Sequence, residues 1–308
     1  MAIVVFGSLN LDLVTQTPRL PVAGETIRGD NFFTGLGGKG ANQAVAAARL
    51  GASTRAIGRV GGDRFGEQLL KGLWDSGVDA SGVRVDESTH SGVAVVSVDR
   101  TGENAIVIVP GANGRVDESD VDRLKALLAD ATVLLLQLEV PTPIVEAAAR
   151  VARDAGVTVI LDPAPASEFS ESLYEYVDIL TPNEIEASQL LGASVDDPET
   201  ALQAASAFRR RGVDRAIVTL GARGIAYATA EESAFVPAFA VEAVDTTAAG
   251  DAFNGALAAA IDRGLPWLDT LRWAMAAGAL SVTKVGAQQS MPDLEHLEEA
   301  LQGAEDVD

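Results

Sequence analysis

The feature that most constrains the fold of this chain is the regular alternation of short β-branched runs with helical stretches rich in Ala and Leu. Short apolar runs bounded by turn residues are typical of buried strands, whereas longer Ala- and Leu-rich segments favour helices. The alternation therefore predicts an α/β fold with a mostly parallel central sheet and helices on both faces. The expected strands are residues 3–6, 54–60, 133–138, 157–161, 179–180 and 216–220. The expected helices are residues 41–50, 65–74, 120–129, 143–155, 183–191, 199–211 and 251–262.

Two stretches, residues 14–34 and 91–110, interrupt this alternation. The first is polar and rich in Pro and Gly, and the second contains two alternating runs, 92–98 and 105–109, joined by a short turn. Such a pattern is typical of a hairpin. We expect both stretches to form a small antiparallel β lid on a single domain of residues 1–308, although an edge extension of the main sheet is an alternative. The acidic end, 298–308, is expected to fray.

The composition excludes several kinds of chemistry. The chain has 308 residues and no cysteine, which excludes disulfides, thiolate zinc sites and cysteine nucleophiles and suits the reducing cytoplasm. It has two histidines, His90 and His296, and neither has a second histidine at a metal-binding spacing. Acid–base chemistry is therefore expected to rest on Asp, Glu or Lys.

Charge and hydropathy argue against nucleic acid and membrane as partners, and the negative charge limits how a nucleotide could bind. With 23 basic and 44 acidic side chains, the net charge is 23 − 44 = −21, and we see no basic patch for nucleic acid. No apolar run is long enough to span a bilayer, and no basic segment precedes the first apolar run, so no signal peptide is expected. A nucleotide would need a metal cation or helix dipoles to offset repulsion.

The segment 245–255, Asp-Thr-Thr-Ala-Ala-Gly-Asp-Ala-Phe-Asn-Gly, places a turn of small residues before a helix. A helix start has unpaired N–H groups and a partial positive charge, so it can hold an anion, and small residues allow close approach. Asp251 at this junction is then well placed as a base for a hydroxyl group that accepts a phosphate. The alternative is an ordinary N-capping Asp.

A second glycine-rich segment occupies residues 35–43. Gly35, Gly37 and Gly40 match the dinucleotide pattern G-x-G-x-x-G, with Asp63 about 20 residues further on. The match is weak because the preceding stretch is polar. A better interpretation is a loop in which Lys39 and Asn42 face a polar ligand at the start of a helix. The alternative is a solvated Lys in a flexible turn.

Other polar residues follow predicted strands. Asn10 and Asp12 are two residues apart, so in an extended segment they project to one face and suit adjacent sugar hydroxyls, although an Asx turn is an alternative. Glu139 follows the apolar run 133–138, at the strand end where a parallel sheet meets its ligand. The alternative is that Glu139 is only the first residue of the following loop.

Two further strand-to-helix or strand-to-turn junctions are candidates. Asn183 and Glu186 have the spacing of a capping box, with a metal-water or phosphate role possible in addition. The turn 219–224 contains two glycines and would let a flat or phosphorylated ligand lie on the backbone. The alternative is an ordinary turn into a strand at residues 225–228.

Together these segments resemble the ribokinase-like family of carbohydrate kinases, over residues 7–292. The most specific parts are residues 37–42, Gly-Gly-Lys-Gly-Ala-Asn, and residues 245–251. The resemblance implies ATP-dependent phosphorylation of a sugar's primary hydroxyl, which for D-ribose is the 5-hydroxyl. It also implies Mg²⁺, an activating K⁺, and a homodimer formed through the lid.

The resemblance also implies a role for individual residues. Asp251 corresponds to the catalytic base, with an anion hole at Ala248, Ala249 and Gly250. The implied sugar contacts are Asn10, Asp12, Gly38, Lys39, Gly40, Asn42, Glu139 and Asp251. The implied nucleotide contacts are Asn183, Thr219, Leu220, Gly221, Ala222, Arg223, Gly224, Gly250 and Met275. The implied K⁺ ligands are Asp245 and the segments around Thr247, Ser281, Lys284, Gly286 and Ser290, and Glu186 contributes to Mg²⁺ binding.

Two positions depart from the family pattern: Met275 stands where a His lies near adenine, and Asp162 replaces an Asn. Within the family the alternatives are kinases for fructose, 2-keto-3-deoxygluconate, deoxyribose or a nucleoside. A nucleoside is disfavoured because aromatic residues make up only 5% of the chain. Outside this class, a dinucleotide-dependent oxidoreductase or a non-catalytic sensor on a kinase scaffold are the alternatives.

Overall fold

Two β-sheets and nine α-helices make up residues 1–305, the part of the chain that this computed structural model describes. In chain order the strands are β1 Ala2–Phe6, β2 Asn10–Gln16, β3 Asn31–Gly37, β4 Thr54–Gly61, β5 Asp79–Asp86, β6 Gly92–Val98, β7 Asn104–Val109, β8 Ala131–Leu136, β9 Thr158–Leu161, β10 Ile179–Leu180, β11 Arg215–Thr219, β12 Gly224–Ala228 and β13 Ser233–Pro237. The helices are α1 Lys39–Arg49, α2 Arg64–Asp75, α3 Glu118–Leu127, α4 Thr142–Asp154, α5 Glu184–Leu191, α6 Pro198–Arg210, α7 Ala249–Asp262, α8 Trp267–Ser281 and α9 Leu294–Glu305.

The main sheet has nine strands in the order β13-β12-β11-β10-β9-β8-β1-β4-β5. All pairs from β11 to β5 are parallel, and β12 and β13 add an antiparallel edge. The mostly parallel sheet predicted from the sequence is thus confirmed. Strands β5 and β13 were not predicted, because they are the two edges of the sheet and lack a continuous apolar run.

The hydrophobic core lies in two layers, one on each face of the main sheet. Alternate residues of β1 point to opposite layers: Ile3 and Val5 to one, Val4 and Phe6 to the other. Helices α1, α2, α7, α8 and α9 cover the first face, and α3 to α6 cover the second. This double coverage explains why the inner strands are apolar along their whole length.

The small sheet has the order β3-β2-β6-β7. It contains the expected hairpin β6–β7 and the antiparallel pair β2–β3, while its central pair β2–β6 is parallel. The sheet starts at Asn10, before the expected segment 14–34, because β2 follows β1 after a three-residue loop. We call these four strands the lid.

The C-terminal region is more ordered than the sequence suggested. Helix α9 extends to Glu305 through most of the acidic stretch that was expected to fray, and residues 306–308 lie outside the described part. None of the helices in residues 1–305 combines the length and apolar character needed to cross a bilayer.

The strand order places a crevice between β1 and β8. From β1 the chain proceeds outward through β4 to β5, and then returns to β8 on the other side and proceeds outward through β9, β10 and β11. In open α/β sheets, ligands bind beyond the carboxyl ends of the strands at such a reversal. A ligand site is therefore expected at the loops after β1 and β8.

Candidate active site

The loops that follow β1 and β8 meet through the carboxylate of Glu139. Ser8 Oγ donates to Glu139 Oε2 at 2.5 Å, Asn10 Nδ2 donates to the same oxygen at 3.2 Å, and the Lys39 backbone N–H donates to it at 3.3 Å. Glu139 therefore joins the end of β1, the end of β8 and the start of α1. The structure brings these predicted sugar-contact residues together at the crevice.

Asp12 lies one pleat further along β2, and its carboxylate lies directly over the backbone of Gly37. A Cβ at Gly37 would lie 2.4 and 2.6 Å from the two carboxylate oxygens of Asp12, so a side chain there would displace that carboxylate. Burial, together with the negative charges of Glu139 and Asp251, raises the pKa of Asp12 to about 7. The Asn10–Asp12 segment is extended, as predicted, rather than an Asx turn.

Helix α7 begins beside this cluster in an unusual way. Its N-cap is Ala248, a non-glycine residue in the left-handed region (φ 59°), and no side chain caps the helix start. The Ala249 N–H donates to the Thr246 carbonyl at 3.3 Å. A Cβ at Gly250 would meet no atom within 4 Å, so the space there is open. Asp251 is the third residue of the helix, so the capping alternative considered for it is wrong.

The carboxylate of Asp251 is buried, with 4% of the residue exposed, and both of its oxygens are hydrogen-bonded. Asn42 Nδ2 donates to Oδ2 at 2.9 Å, and Gln43 Nε2 donates to Oδ1 at 3.1 Å. Both donors lie on α1, so the packing of α1 on α7 sets the direction in which the acid faces the crevice.

Lys39 at the first position of α1 lies among carboxylates. Burial disfavours its ammonium group, but the surrounding negative charge outweighs burial and raises its pKa above the usual range. These charges belong to Asp162, Asp251, Glu139 and Glu186. Lys39 Nζ lies 3.9 Å from Asp162 Oδ2. Asp162, for which no role was predicted from the sequence, is thus the ion-pair partner of Lys39.

The glycines around Lys39 serve packing rather than a dinucleotide. Gly38 has a φ of 87°, and a Cβ at Gly40 would lie 2.7 Å from the Gly7 carbonyl carbon and the Ser8 nitrogen. Asp63, the acid that the dinucleotide pattern requires, instead caps α2 and accepts hydrogen bonds from Ser91. The structure therefore gives the G-x-G-x-x-G match another explanation.

An apolar pocket of about 300 Å³ opens beside the start of α7. Of the residues predicted to contact a nucleotide, it is lined by Thr219, Gly221, Ala222, Gly224, Gly250 and Met275. Phe253, Ile225 and Val282 complete an apolar wall suited to a flat base. Gly250 belongs both to this pocket and to the start of α7, so the pocket leads toward Asp251.

Three predicted nucleotide contacts do not line this pocket, although Asn183 forms a parallel bridge with the pocket residue Thr219. Leu220 is buried in the core, and the Arg223 guanidinium forms an ion pair with Glu184 on the surface. The Asn183 side chain caps α5 by accepting from the Glu186 N–H at 2.8 Å, and Glu186 Oε2 accepts from the Asn183 N–H at 2.9 Å. The predicted capping box is confirmed. Burial raises the pKa of Glu186, and the Asn183 N–H opposes this shift.

The segment predicted to hold a monovalent cation is held together by Asp245. Its Oδ1 accepts from the N–H and Oγ1 of Thr247, and its Oδ2 accepts from the Gly286 N–H at 2.9 Å. Although burial would raise the pKa of Asp245, these hydrogen bonds lower it. Ser281 and Ser290 are buried on the same C-terminal segment, whereas the Lys284 side chain is exposed.

Three buried amide side chains around the site were not predicted from the sequence. Asn113 Nδ2 donates to Asn10 Oδ1 at 2.8 Å, Gln43 contacts Asp251, and Gln137 Nε2 donates to Gln43 Oε1 at 2.6 Å. The only sequence signal was Gln137, a polar residue within an otherwise apolar stretch. The partners of Gln43 and Asn113 are about 100 or more positions away in the chain, so local pattern cannot reveal them.

Comparisons with known proteins show which proteins this chain is similar to. The model of the pfkB family carbohydrate kinases matches residues 2–294. A ribokinase of Schizosaccharomyces pombe is 45% identical over 95% of this chain and 95% of its own, and a ribokinase of Haemophilus influenzae is 41% identical over 97% and 98%. The Arabidopsis thaliana ribokinase structure complexed with ribose and ATP has a TM-score of 0.89 and 36% identity, covering 98% of both chains.

Proposed function

Because this chain belongs to the pfkB family of carbohydrate kinases, we propose that it transfers the γ-phosphoryl group of ATP to the 5-hydroxyl of D-ribose. The chain is a phosphotransferase that acts on an alcohol group. The main observation behind the proposal is the position of Asp251. It lies at the N-terminus of α7, between a polar crevice and an apolar pocket. The similarity to ribokinases of 41% and 45% identity supports ribose as the sugar.

In this proposal Asp251 orients the acceptor hydroxyl and takes its proton. Its carboxylate is held by Asn42 and Gln43, so it does not have to reorganise when the sugar binds. In a loose phosphoryl-transfer transition state the hydroxyl proton leaves late, so alignment of the oxygen contributes more than strong basicity.

The first amides of α7 would receive the charge that develops on the phosphoryl group. Ala248, Ala249 and Gly250 form this anion hole, and no side chain caps the helix start. The Ala249 N–H donates to the Thr246 carbonyl at 3.3 Å, so it would have to exchange that partner for the phosphoryl group. Backbone donors at a helix start are already oriented, so they stabilise charge without rearrangement. Lys39 adds a positive charge on the sugar side of Asp251.

We propose that Mg²⁺ accompanies the nucleotide and that a monovalent cation, K⁺, binds near Asp245. When bound, Mg²⁺ would neutralise phosphate charge, and the buried carboxyl of Glu186 at the start of α5 is the residue on this chain that would contribute to holding it. The hydrogen bonds to Asp245 lower its pKa, and carbonyl oxygens of the neighbouring segment 281–290 would have to complete a donor set that suits K⁺. Within residues 1–305 no group of three or more acidic or histidine side chains has metal-binding geometry.

The choice of sugar rests on Asn10, Asp12 and Glu139. These side chains offer one amide and two carboxyl groups at the crevice, which suits adjacent hydroxyls of a small sugar better than an aromatic base. Asn113 fixes the orientation of the Asn10 amide, so that its Nδ2 faces Glu139.

The experiment that tests this function is ATP turnover with a panel of acceptors. D-ribose, 2-deoxyribose, fructose, 2-keto-3-deoxygluconate and nucleosides are each assayed for ADP release, with and without K⁺, and the product position is determined by ³¹P NMR. We expect the highest kcat/KM with D-ribose and phosphate on the 5-position. A higher value for another acceptor, or phosphate elsewhere, would contradict the assignment.

We also propose that two copies associate through the lid and act in the cytoplasm. The lid exposes a set of apolar side chains that is large for a free surface: Phe32, Phe33, Val95, Ile106, Val107, Ile108 and Val109. A second copy of this sheet would cover them. Analytical ultracentrifugation should give a dimer that a charged residue at Val107 dissociates, and cell fractionation would test the location.

A further inference from the structure

A buried chain of amide groups connects the main sheet to the carboxylate of Asp251. Gln137, which follows β8, donates through Nε2 to Gln43 Oε1 at 2.6 Å. Gln43 Nε2 then donates to Asp251 Oδ1 at 3.1 Å and to Asp162 Oδ2 at 2.8 Å. Gln43 and Gln137 are fully buried. One amide nitrogen of α1 thus bridges two carboxylates that come from α7 and from the loop after β9.

These contacts determine the orientation of the Gln43 amide. If the amide turned over, its oxygen would face both carboxylates and its nitrogen would face the donor of Gln137. Unpaired or opposed polar groups are costly in a buried site, so the observed orientation is strongly preferred. Gln137 therefore holds Gln43, and Gln43 holds Asp251.

Gln43 differs in this respect from its neighbour Asn42. Asn42 also donates to Asp251, but among the described residues its Oδ1 has no hydrogen-bond partner and is left for a ligand. The amide oxygen and nitrogen of Gln43 both have partners within the protein. Asn42 is thus suited to bind the sugar, and Gln43 only to act through Asp251.

We propose that Gln43 is a positioning residue, which aligns the Asp251 carboxylate with the acceptor hydroxyl and separates it from the carboxyl of Asp162. This inference rests on the proposed function, because it assigns Gln43 a part in the same reaction. Without the bridging N–H, Asp251 keeps only the Asn42 donor, and Asp162 keeps only Lys39, whose Nζ lies 3.9 Å away. Burial raises the pKa of Asp162 to about 8 and the charge of Asp251 adds to this shift, so each carboxyl group disfavours the ionised form of the other. Asp251 would then move away from Asp162, and a displacement of about 1 Å can lower a rate about 100-fold.

The first test is Gln43→Met, which keeps the length of the side chain and removes its hydrogen bonds. We expect kcat to fall about 10- to 100-fold while the KM for the sugar stays near the wild-type value. Asn42→Ala is the comparison variant, and it should raise the KM as well. If Gln43→Met has the kcat of the wild type, or loses kcat and sugar affinity equally, the inference is overturned.

The second test is Gln43→Glu, which makes the effect depend on pH. When protonated, the introduced carboxyl group retains one donor, but when ionised it has none and adds a negative charge next to Asp162 and Asp251. The kcat of this variant relative to wild type should therefore fall as the pH rises, and more steeply than that of Gln43→Met, which introduces no additional titrating group beside Asp162 and Asp251. The other titratable groups near the site are Lys39, Glu186, Glu139 and Asp12. Because burial raises the pKa of Asp12 to about 7, the kcat of the wild type is measured over the same pH range. A Gln43→Glu deficit that does not change with pH would contradict the proposed role of the N–H donor.

A third variant keeps the inference testable if Gln43→Met unfolds. Gln137→Leu acts on Asp251 only through Gln43, so we expect a smaller loss of kcat and no additional loss in the double variant. Additive losses would contradict the chain of contacts. An active wild type with an unaffected Gln43→Met would overturn this inference alone, whereas a wild type that phosphorylates no sugar would overturn the proposed function.

Discussion

Replacing Gly255 with Ala should separate the two helices that build the site. Gly255 lies one turn after Asp251 on α7, and a Cβ there would be 2.5 Å from Ala46 Cβ and 2.8 Å from the Gln43 carbonyl oxygen on α1. Carbon atoms in contact are normally about 3.5–4.0 Å apart, so the helices must move apart by about 1 Å. The obstructing atoms include backbone, so a side-chain rotation cannot relieve the contact.

This movement should lower both stability and activity. Overpacking of a core costs about 1–3 kcal/mol, and the higher helix propensity of Ala returns up to about 1 kcal/mol of it. The hydrogen bonds of 2.9 and 3.1 Å from Asn42 and Gln43 to Asp251 would lengthen beyond bonding distance. A misplacement of about 1 Å predicts a loss of kcat of about 100-fold.

Urea unfolding and steady-state kinetics on the same preparations measure the two effects. Gly303→Ala is the control, since Gly303 lies on α9 and a Cβ there meets no atom within 4 Å. It should raise the free energy of unfolding by up to about 1 kcal/mol and leave kcat unchanged. A Gly255→Ala variant with wild-type kcat would refute the argument that the α1–α7 distance positions Asp251.

Three further predictions concern the acid and the sugar side of the crevice. Asp251→Asn should retain sugar binding in calorimetry but lower kcat by roughly 10²–10⁴-fold; an equal loss of both would indicate a structural role. Gly37→Ala should displace the Asp12 carboxylate and raise the KM for ribose, whereas Gly35→Ala, whose Cβ would lie 3.7 Å from Asp12 Cβ, should change it little; equal KM values for the two variants would contradict the packing. In the sugar-free protein the pKa of Asp12 is raised from 3.8 to about 7, so the folded state retains a proton that the unfolded state loses. This contribution to stability should fall as the pH rises from about 4 to about 7, and Asp12→Asn should weaken that dependence in urea unfolding; an identical pH dependence in both proteins would exclude it.

The central strands and most helices were predictable because their patterns are local. Strands between two helical layers need apolar side chains on both faces, so β1, β8 and β9 are visible as apolar runs. Edge strands such as β5 and β13 have one row of backbone groups unpaired and half-exposed side chains, so their composition is that of a loop. The lid was recognisable from its hairpin, but the parallel pairing of β2 with β6 joins segments about 80 residues apart.

The residues with reactive groups could be named from short motifs, since Asp251, Lys39, Asn42 and Glu139 each stand at a junction whose chemistry is local. Their arrangement in space could not be predicted, because hydrogen bonds such as that from Gln43 to Asp251 connect positions 208 residues apart. Only the packing of α1 against α7 on one face of the sheet brings those atoms within hydrogen-bonding distance of each other. A linear pattern records which groups are present, whereas the distance and burial that make them a site arise when the helices and the sheet meet.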